Sequence, residues 1–88
     1  MTPAERQTHA RAWALYPGST LRTVTVSGDR VAVQLTGEGG TWQTTYAPAA
    51  TPAQAWAHAA ADLRADAERE LRGMAERCER IGRALEVE

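Results

Sequence analysis

The chain has 88 residues, enough for one domain spanning residues 1–88, but 18 of them are alanines that can fill only a thin core. Ten arginines, no lysine and eleven carboxylates give a formal net charge of −1, so generic binding to nucleic acid is not expected. A lone cysteine, Cys78, excludes an internal disulfide, and no apolar run reaches the length of a membrane span. These features favour a cytoplasmic protein.

The first predicted element is a helix with a clear start signal. The segment from Thr2 to Glu5 combines a cap-type residue, a proline suited to the first helical position and a glutamate three residues after the cap. The helix should begin at Pro3 and end at about Tyr16, because a Pro-Gly pair follows. Trp13 and Tyr16 are predicted to share its apolar face.

The middle of the chain is predicted to form three strands. Apolar and polar residues alternate with a period of two over Leu21 to Ser27, Arg30 to Thr36 and Thr41 to Tyr46. The Gly28-Asp29 pair suits a two-residue type II′ turn, and the glycine-rich segment 37–40 makes a second reversal. Short connections of this kind predict an antiparallel meander.

The two faces of this predicted sheet differ in chemistry. The apolar face, expected to pack against the helices, consists of Val24, Val26, Val31, Val33, Leu35, Trp42 and Tyr46. The other face is polar and almost uncharged, and it consists of Thr23, Thr25, Arg30, Gln34, Thr36, Thr41, Gln43 and Thr45. Hydroxyls and amides are cheaper to desolvate than charges, so this polar face is either a contact surface for a protein partner or an ordinary solvated sheet.

A long second helix is predicted after the sheet. The segment Thr51 to Gln54 repeats the cap signal, and the only helix-weakening residues beyond it are Gly73 and Gly82. A helix from Pro52 to about Leu85 would be ~50 Å long, whereas a compact chain of this size has a diameter of roughly 30 Å. We therefore expect residues 67–88 to protrude as a helical oligomerisation segment.

The long helix carries two different apolar patterns. In its first half Trp56, Ala60, Leu63 and Ala67 follow a 3.6-residue period suited to covering the sheet, which predicts burial of both Trp56 and Trp42 between sheet and helix. From there the apolar residues are alternately four and three apart, as in a coiled-coil heptad. These heptad residues are Ala67, Leu71, Met74, Cys78, Ile81 and Leu85.

The heptad predicts a homodimer; the alternative is a helix that kinks at Gly73 and folds back on the first helix. Glu70 and Arg77 occupy the g positions of the heptad, next to Leu71 and Cys78. An antiparallel pair centred near Met74 would set Glu70 opposite Arg77 of the other chain, twice by symmetry, whereas a parallel pair would leave both charges unmatched. The antiparallel arrangement is therefore predicted. Exposed i,i+4 pairs should support the helix at Glu68–Arg72, Glu76–Arg80 and Glu79–Arg83.

No residue set indicates catalysis. Cys78 has no histidine near it in the sequence, so it is interpreted as a small buried hydrophobic residue of the heptad. His58 and Asp62 form an i,i+4 pair that could begin a metal site, but no ligand motif completes it. The glycine-rich loop lacks the Lys-Ser/Thr of a phosphate loop. We expect no catalytic residue, metal or cofactor, and hence no enzyme.

The predicted order of helix, three-stranded meander and helix, with the alanine-rich stretch Ala59 to Leu63, resembles the double-stranded RNA-binding domain over residues 3 to 65. The lysines that the family carries at the start of its second helix are here Pro52, Ala53 and Gln54, so RNA binding is not carried over.

Two hypotheses of function follow. The leading one is a small non-enzymatic inhibitor, adaptor or accessory subunit that binds another protein and acts as a homodimer. The alternative is a nucleic-acid-binding dimer in which helical arginines line one surface, although carboxylates are interleaved with them. These arginines are Arg64, Arg69, Arg72, Arg77, Arg80 and Arg83.

Overall fold

The computed structural model describes residues 1–86, and it confirms the predicted α+β class and the order helix, three antiparallel strands in one sheet, long helix. The strands are hydrogen-bonded in the order β1-β2-β3. The elements are α1 (Pro3–Leu15), β1 (Thr20–Ser27), β2 (Arg30–Thr36), β3 (Gln43–Thr45) and α2 (Pro52–Glu86).

Both helices begin at the predicted caps. Thr2 Oγ1 accepts a hydrogen bond from the backbone N–H of Glu5 at 3.1 Å, and Glu5 Oε2 accepts one from the N–H of Thr2 at 3.2 Å. Thr51 Oγ1 accepts from the N–H of Gln54 at 3.3 Å. These bonds satisfy backbone donors that have no partner within the first turn of a helix.

The buried face of α1 differs from the prediction. Thr8 and Ala12 are buried, Tyr16 is half-buried and Trp13 is 57% exposed. Thr8 satisfies its hydroxyl by donating to the Ala4 carbonyl oxygen at 2.9 Å. Small side chains thus form the contact, and the indole of Trp13 is left outside the core.

The turn between β1 and β2 is the predicted two-residue reversal. Ser27 pairs with Arg30, and Gly28 has a φ of 53°. That positive φ suits glycine, which has no Cβ to clash with the backbone.

The register of this hairpin overturns the predicted faces of β1. Thr23 lies opposite Val33 and Thr25 opposite Val31, and residues directly opposite each other in an antiparallel pair point to the same side of the sheet. The two threonines therefore lie on the helix side, away from the other predicted polar-face residues.

The prediction that the valines of β1 face the core is wrong for the same reason: the register of the hairpin differs by one residue from the predicted one. Val24 lies opposite Ala32 on the outer side, and Val26 falls at a register irregularity and is 47% exposed. The buried residue of β1 is Leu21, which pairs with Leu35. Because side chains alternate with a period of two, burying Leu21 turns Val24 outward.

The third strand is shorter than predicted, and Trp42 precedes it. A short 3₁₀ turn, Glu38–Gly40, occupies the loop, which is closed by a hydrogen bond from the Gly37 N–H to the Trp42 carbonyl oxygen at 2.9 Å. The Trp42 side chain is 40% exposed and meets the Tyr16 ring edge-on at 5.3 Å between centroids. It is therefore not buried between sheet and α2, as predicted.

The core joins the helix side of the sheet to the first half of α2. The buried α2 residues Ala55, Ala59 and Leu63 are spaced four apart. Of the predicted stripe, Leu63 is buried as expected. Trp56 is only half-buried, and its ring lies against that of His9 of α1, with centroids 5.2 Å apart. The core residues of the sheet side are Leu21, Val33, Leu35, Tyr46 and Ala49.

The long helix does not fold back on α1. It is continuous from Pro52 to Glu86 through Gly73 and Gly82, and the described chain measures 63 × 25 × 22 Å. Every residue from 75 to 86 is exposed. The last two residues of the predicted segment 67–88 lie outside the described residues.

Candidate oligomerisation surface

The heptad residues of α2 form an exposed apolar stripe. Leu71, Met74, Ile81 and Leu85 are 65%, 46%, 61% and 81% exposed, the Cys78 thiol is exposed, and Ala67 is half-buried. Heptad positions a and d lie on one side of a helix. We call these six residues the apolar stripe.

Cys78 is exposed in the single chain, although the sequence predicted a small buried residue. A second helix on the apolar stripe would be needed to bury it. Its burial is thus tied to the predicted dimer.

The stripe begins in a groove between the C-terminal half of α1 and α2. Its α1 wall consists of Arg11, Ala14 and Leu15. Its α2 wall consists of Ala67, Glu70, Leu71 and Met74. Spacing along the sequence does not indicate the α1 wall, because tertiary packing decides which residues of one helix lie beside another.

Glu70 and Arg77 are both exposed, and within residues 1–86 neither forms an ion pair. The two charges are seven residues apart, so they lie on the same side of α2 about two turns from each other. They remain available to a partner.

The predicted i,i+4 ion pairs are not formed within the described chain. Glu68 pairs with Arg64, preceding it, at 3.3 Å instead of with Arg72, and a second pair joins Asp66 to Arg69. Surface pairs of this type contribute about 0 to 1 kcal/mol. Ion pairs therefore stabilise the exposed part of α2 less than the sequence indicated.

A tyrosine anchors α2 just before the stripe. The Tyr16 hydroxyl donates to Asp66 Oδ2 at 3.5 Å, and burial, together with the negative charge of Asp66, raises the pKa of Tyr16 above its usual value. Tyr46 lies nearby in the core, where burial and then the Asp66 charge raise its pKa to about 12. The sequence carried no signal for this contact, because the two partners are fifty residues apart.

The outer sheet face brings together five of the predicted polar-face residues. Gln34 lies opposite Thr45, and Thr36 lies opposite Gln43; Arg30 shares this side by alternation along β2. Val24 and Ala32 lie on the same side, so the face is less uniformly polar than predicted.

Side-chain hydrogen bonds cross the three strands on this face. Arg22 Nη2 donates to Gln34 Oε1 at 3.1 Å, and Gln34 Nε2 donates to Thr45 Oγ1 at 3.4 Å. Thr41 is not part of the face, since it lies in the loop and donates from Oγ1 to the Glu38 carbonyl oxygen at 3.1 Å. Whether a partner binds the face stays a prediction.

The histidine considered as a metal ligand has another role. His58 Nδ1 lies 2.9 Å from the Ala47 carbonyl oxygen. A carbonyl oxygen only accepts, so Nδ1 is the donor of this hydrogen bond, and a metal could bind His58 only through Nε2. Over residues 1–86, no three side chains of His, Cys, Asp or Glu are grouped so that they could hold a metal ion.

Neither α1 nor α2, as far as the structure describes them, is both long and apolar enough to cross a membrane.

Comparison of the chain with known protein families, with curated proteins and with solved structures gave no match.

Proposed function

We propose that the protein is a small, non-enzymatic protein-binding module that works as a homodimer through the C-terminal half of α2. As an inhibitor, adaptor or accessory subunit it would act in the cytoplasm, where a lone thiol such as Cys78 remains reduced.

The observation that carries this proposal is the apolar stripe. Four large apolar side chains, Leu71, Met74, Ile81 and Leu85, are each at least 46% exposed along one side of a continuous helix. Contiguous exposed apolar surface on a small protein typically marks an interaction site. A second copy supplies an identical stripe, and two-fold pairing is the commonest way for identical chains to associate.

The charges beside the stripe favour an antiparallel pair. Glu70 and Arg77 are unpaired within residues 1–86, and in a dimer centred near Met74 each Glu70 faces the other chain's Arg77. An exposed ion pair is worth only about 0.5 kcal/mol, so it sets the direction of the helices, while burial of apolar side chains supplies most of the affinity.

The test is the molar mass in solution, measured by light scattering coupled to size-exclusion chromatography. The wild type should be a dimer, and Met74→Glu combined with Ile81→Glu should be a monomer, because two carboxylates would be buried in the interface. The control is Arg72→Gln with Arg83→Gln, which makes the same change in net charge at two exposed positions outside the stripe. That control should stay dimeric; a monomeric wild type would end the proposal.

The direction of the helices has its own test in Cys78. In an antiparallel pair centred near Met74 the two Cys78 residues are ~12 Å apart along the helix axis, too far to be joined by a disulfide. In a parallel pair they face each other. Ready formation of a Cys78 cross-link on oxidation of a dimeric wild type would therefore contradict the antiparallel arrangement.

The alternative, a nucleic-acid-binding dimer, has less support. Two of the six arginines that would contact phosphates are already paired, Arg64 with Glu68 and Arg69 with Asp66. Binding to generic duplex, titrated with salt, separates the two proposals. A nucleic-acid-binding protein would bind at low salt and weaken steeply as salt is added, whereas a protein-binding module should have no measurable affinity.

A further inference from the structure

The strand β1 is an open edge of the sheet. The strand order is β1-β2-β3, and within residues 1–86 no strand pairs with the outer side of β1. An open edge presents unpaired backbone N–H and C=O groups, which are complementary to another extended chain.

The hydrogen bonds of β2 identify which groups of β1 are unpaired. Val31 exchanges two backbone hydrogen bonds with Ala49, at 2.9 and 2.8 Å, and the Val33 carbonyl oxygen accepts from the Tyr46 N–H at 3.0 Å. The odd-numbered residues of β2 therefore bond away from β1. Bonding alternates along an antiparallel strand, so the even-numbered residues of β2 bond to β1.

The partners of those even-numbered residues in β1 are Arg22, opposite Gln34, and Val24, opposite Ala32. The residues between and beyond them, Thr23 and Thr25, consequently point their N–H and C=O groups to the open edge. Both threonines are exposed.

The usual protection of an edge strand is weak here. Residues 20–25 contain neither proline nor lysine, and their one charged side chain is Arg22. Its guanidinium is turned over β2, where Nε and Nη2 donate to Gln34 Oε1 at 3.4 and 3.1 Å. The register irregularity lies at the turn end of β1, between Thr25 and Ser27, so it interrupts the edge there and leaves residues 20–25 regular. Charges, prolines and bulges within the strand are the common means of blocking an edge.

We propose that the β1 edge binds an extended segment of another protein as a fourth strand, with Thr23 and Thr25 exchanging backbone hydrogen bonds with it. The segment would be uncharged and rich in threonine and valine, since its side chains would lie beside two threonines on one side of the sheet and Val24 on the other. The inference extends the proposed protein-binding role and does not depend on dimerisation through α2.

A second copy of β1 fits the edge less well. Symmetric pairing about Thr23 would place Leu21 opposite Thr25 of the other copy, yet Leu21 is only 7% exposed. A chain that also dimerised through α2 would then have two separate two-fold interfaces, which close into a tetramer only if the two axes intersect and otherwise propagate into an open filament.

The test follows backbone amide hydrogen exchange by NMR while a probe peptide is added. The probe is a capped hexapeptide of alternating threonine and valine. The amides of Thr23 and Thr25 should exchange about tenfold more slowly once about nine-tenths of the protein is bound. The amides of Arg22 and Val24 should not change, because they already bond to β2.

Two controls follow. The same peptide with N-methylated backbone nitrogens, which cannot donate, should cause no slowing. Thr23→Pro removes an outward N–H without removing a β1–β2 bond, so the peptide should no longer slow Thr25, whereas Thr23→Val should behave as the wild type. The N-methylated peptide needs no variant and remains informative if the proline variant fails to fold.

Unchanged exchange at Thr23 and Thr25 with the unmodified peptide would overturn the inference. So would protection of these two amides that is already present without peptide and is lost on dilution, because a second copy would then occupy the edge. Either result leaves the light-scattering test of the α2 dimer unaffected.

Discussion

The hydroxyl of Tyr16 lies 3.5 Å from Oδ2 of Asp66, so the residue that follows α1 is joined to α2 at the point where the core ends and the exposed half of the helix begins. Tyr46 is buried beside this contact, and its pKa responds to both partners.

Stability should fall at alkaline pH because both tyrosines have raised pKa values in the folded chain. The unfolded chain loses its phenolic protons near pH ~10, so the free energy of unfolding is fully retained below that pH and decreases as the pH rises through the folded pKa. For Tyr46, with a pKa of about 12, the full loss is roughly 2 to 3 kcal/mol. Urea unfolding followed by tryptophan fluorescence measures it.

The control for this pH dependence is Tyr46→Phe, which should flatten the decline. The chain has no lysine, and arginines remain protonated in this range, so few other groups obscure the titration. An equal decline in the variant and the wild type would show that Tyr46 is not the group responsible.

Replacing leucine by alanine should have different effects at two positions of α2: Leu63→Ala should destabilise the fold, and Leu71→Ala should weaken the dimer. Leu63 is fully buried, so Leu63→Ala should lower the free energy of unfolding by about 2 to 5 kcal/mol. Leu71 is 65% exposed, so Leu71→Ala should leave the monomer nearly as stable and weaken the dimer. Thermal unfolding at several protein concentrations separates the two effects; a concentration-independent loss at Leu71 would argue against its place in an interface.

Gly37 should tolerate no side chain. A Cβ at this buried position would overlap the indole of Trp42, although the backbone φ of −70° suits any residue. We expect Gly37→Ala to lower the free energy of unfolding by about 1 to 3 kcal/mol through this overlap. In chemical denaturation Gly37→Ala should cost less in a Trp42→Ala background than in the wild type, because the clashing ring is gone; an equal cost in both backgrounds would contradict the assigned cause.

At Gly73 the opposite is expected, because a Cβ there meets no atom within 4 Å. Alanine is favoured over glycine in a helix interior by about 1 kcal/mol. Gly73→Ala should therefore raise both the melting temperature and the helical signal in circular dichroism. A fall in stability would mean that the glycine is needed for close approach of another helix.

Much of the fold could be read from short-range signals. The capping pairs Thr2 with Glu5 and Thr51 with Gln54, and the turn at Gly28, involve residues within three positions of each other, and each is found as predicted. Local hydrogen bonding and backbone conformation decide such features, so the sequence specifies them directly.

The faces of β1 could not be read in the same way. Its valines outnumber its one leucine, but Leu21 faces the core and Val24 does not. The register irregularity between Thr25 and Ser27 reverses the faces of the strand before it, and no sequence signal marks it. Leu21 also shares the core with Ala12 of α1, a contact between residues that are not neighbours along the chain. The exposed stripe of α2, by contrast, was visible as a heptad because its spacing is a property of one helix.

The unbroken length of α2 would set the distance between the two β1 edges of a dimer. In an antiparallel dimer centred near Met74, the two copies of Ala59, which pack against the two sheets, would lie ~45 Å apart along the helix axis. The paired helices would therefore hold the two β1 edges on one rigid body. A partner offering two strand segments at that spacing would bind the second at a high effective concentration, whereas one whose segments cannot span it would gain nothing from the second site. The length of the helix would thus select partners by the distance between their binding segments.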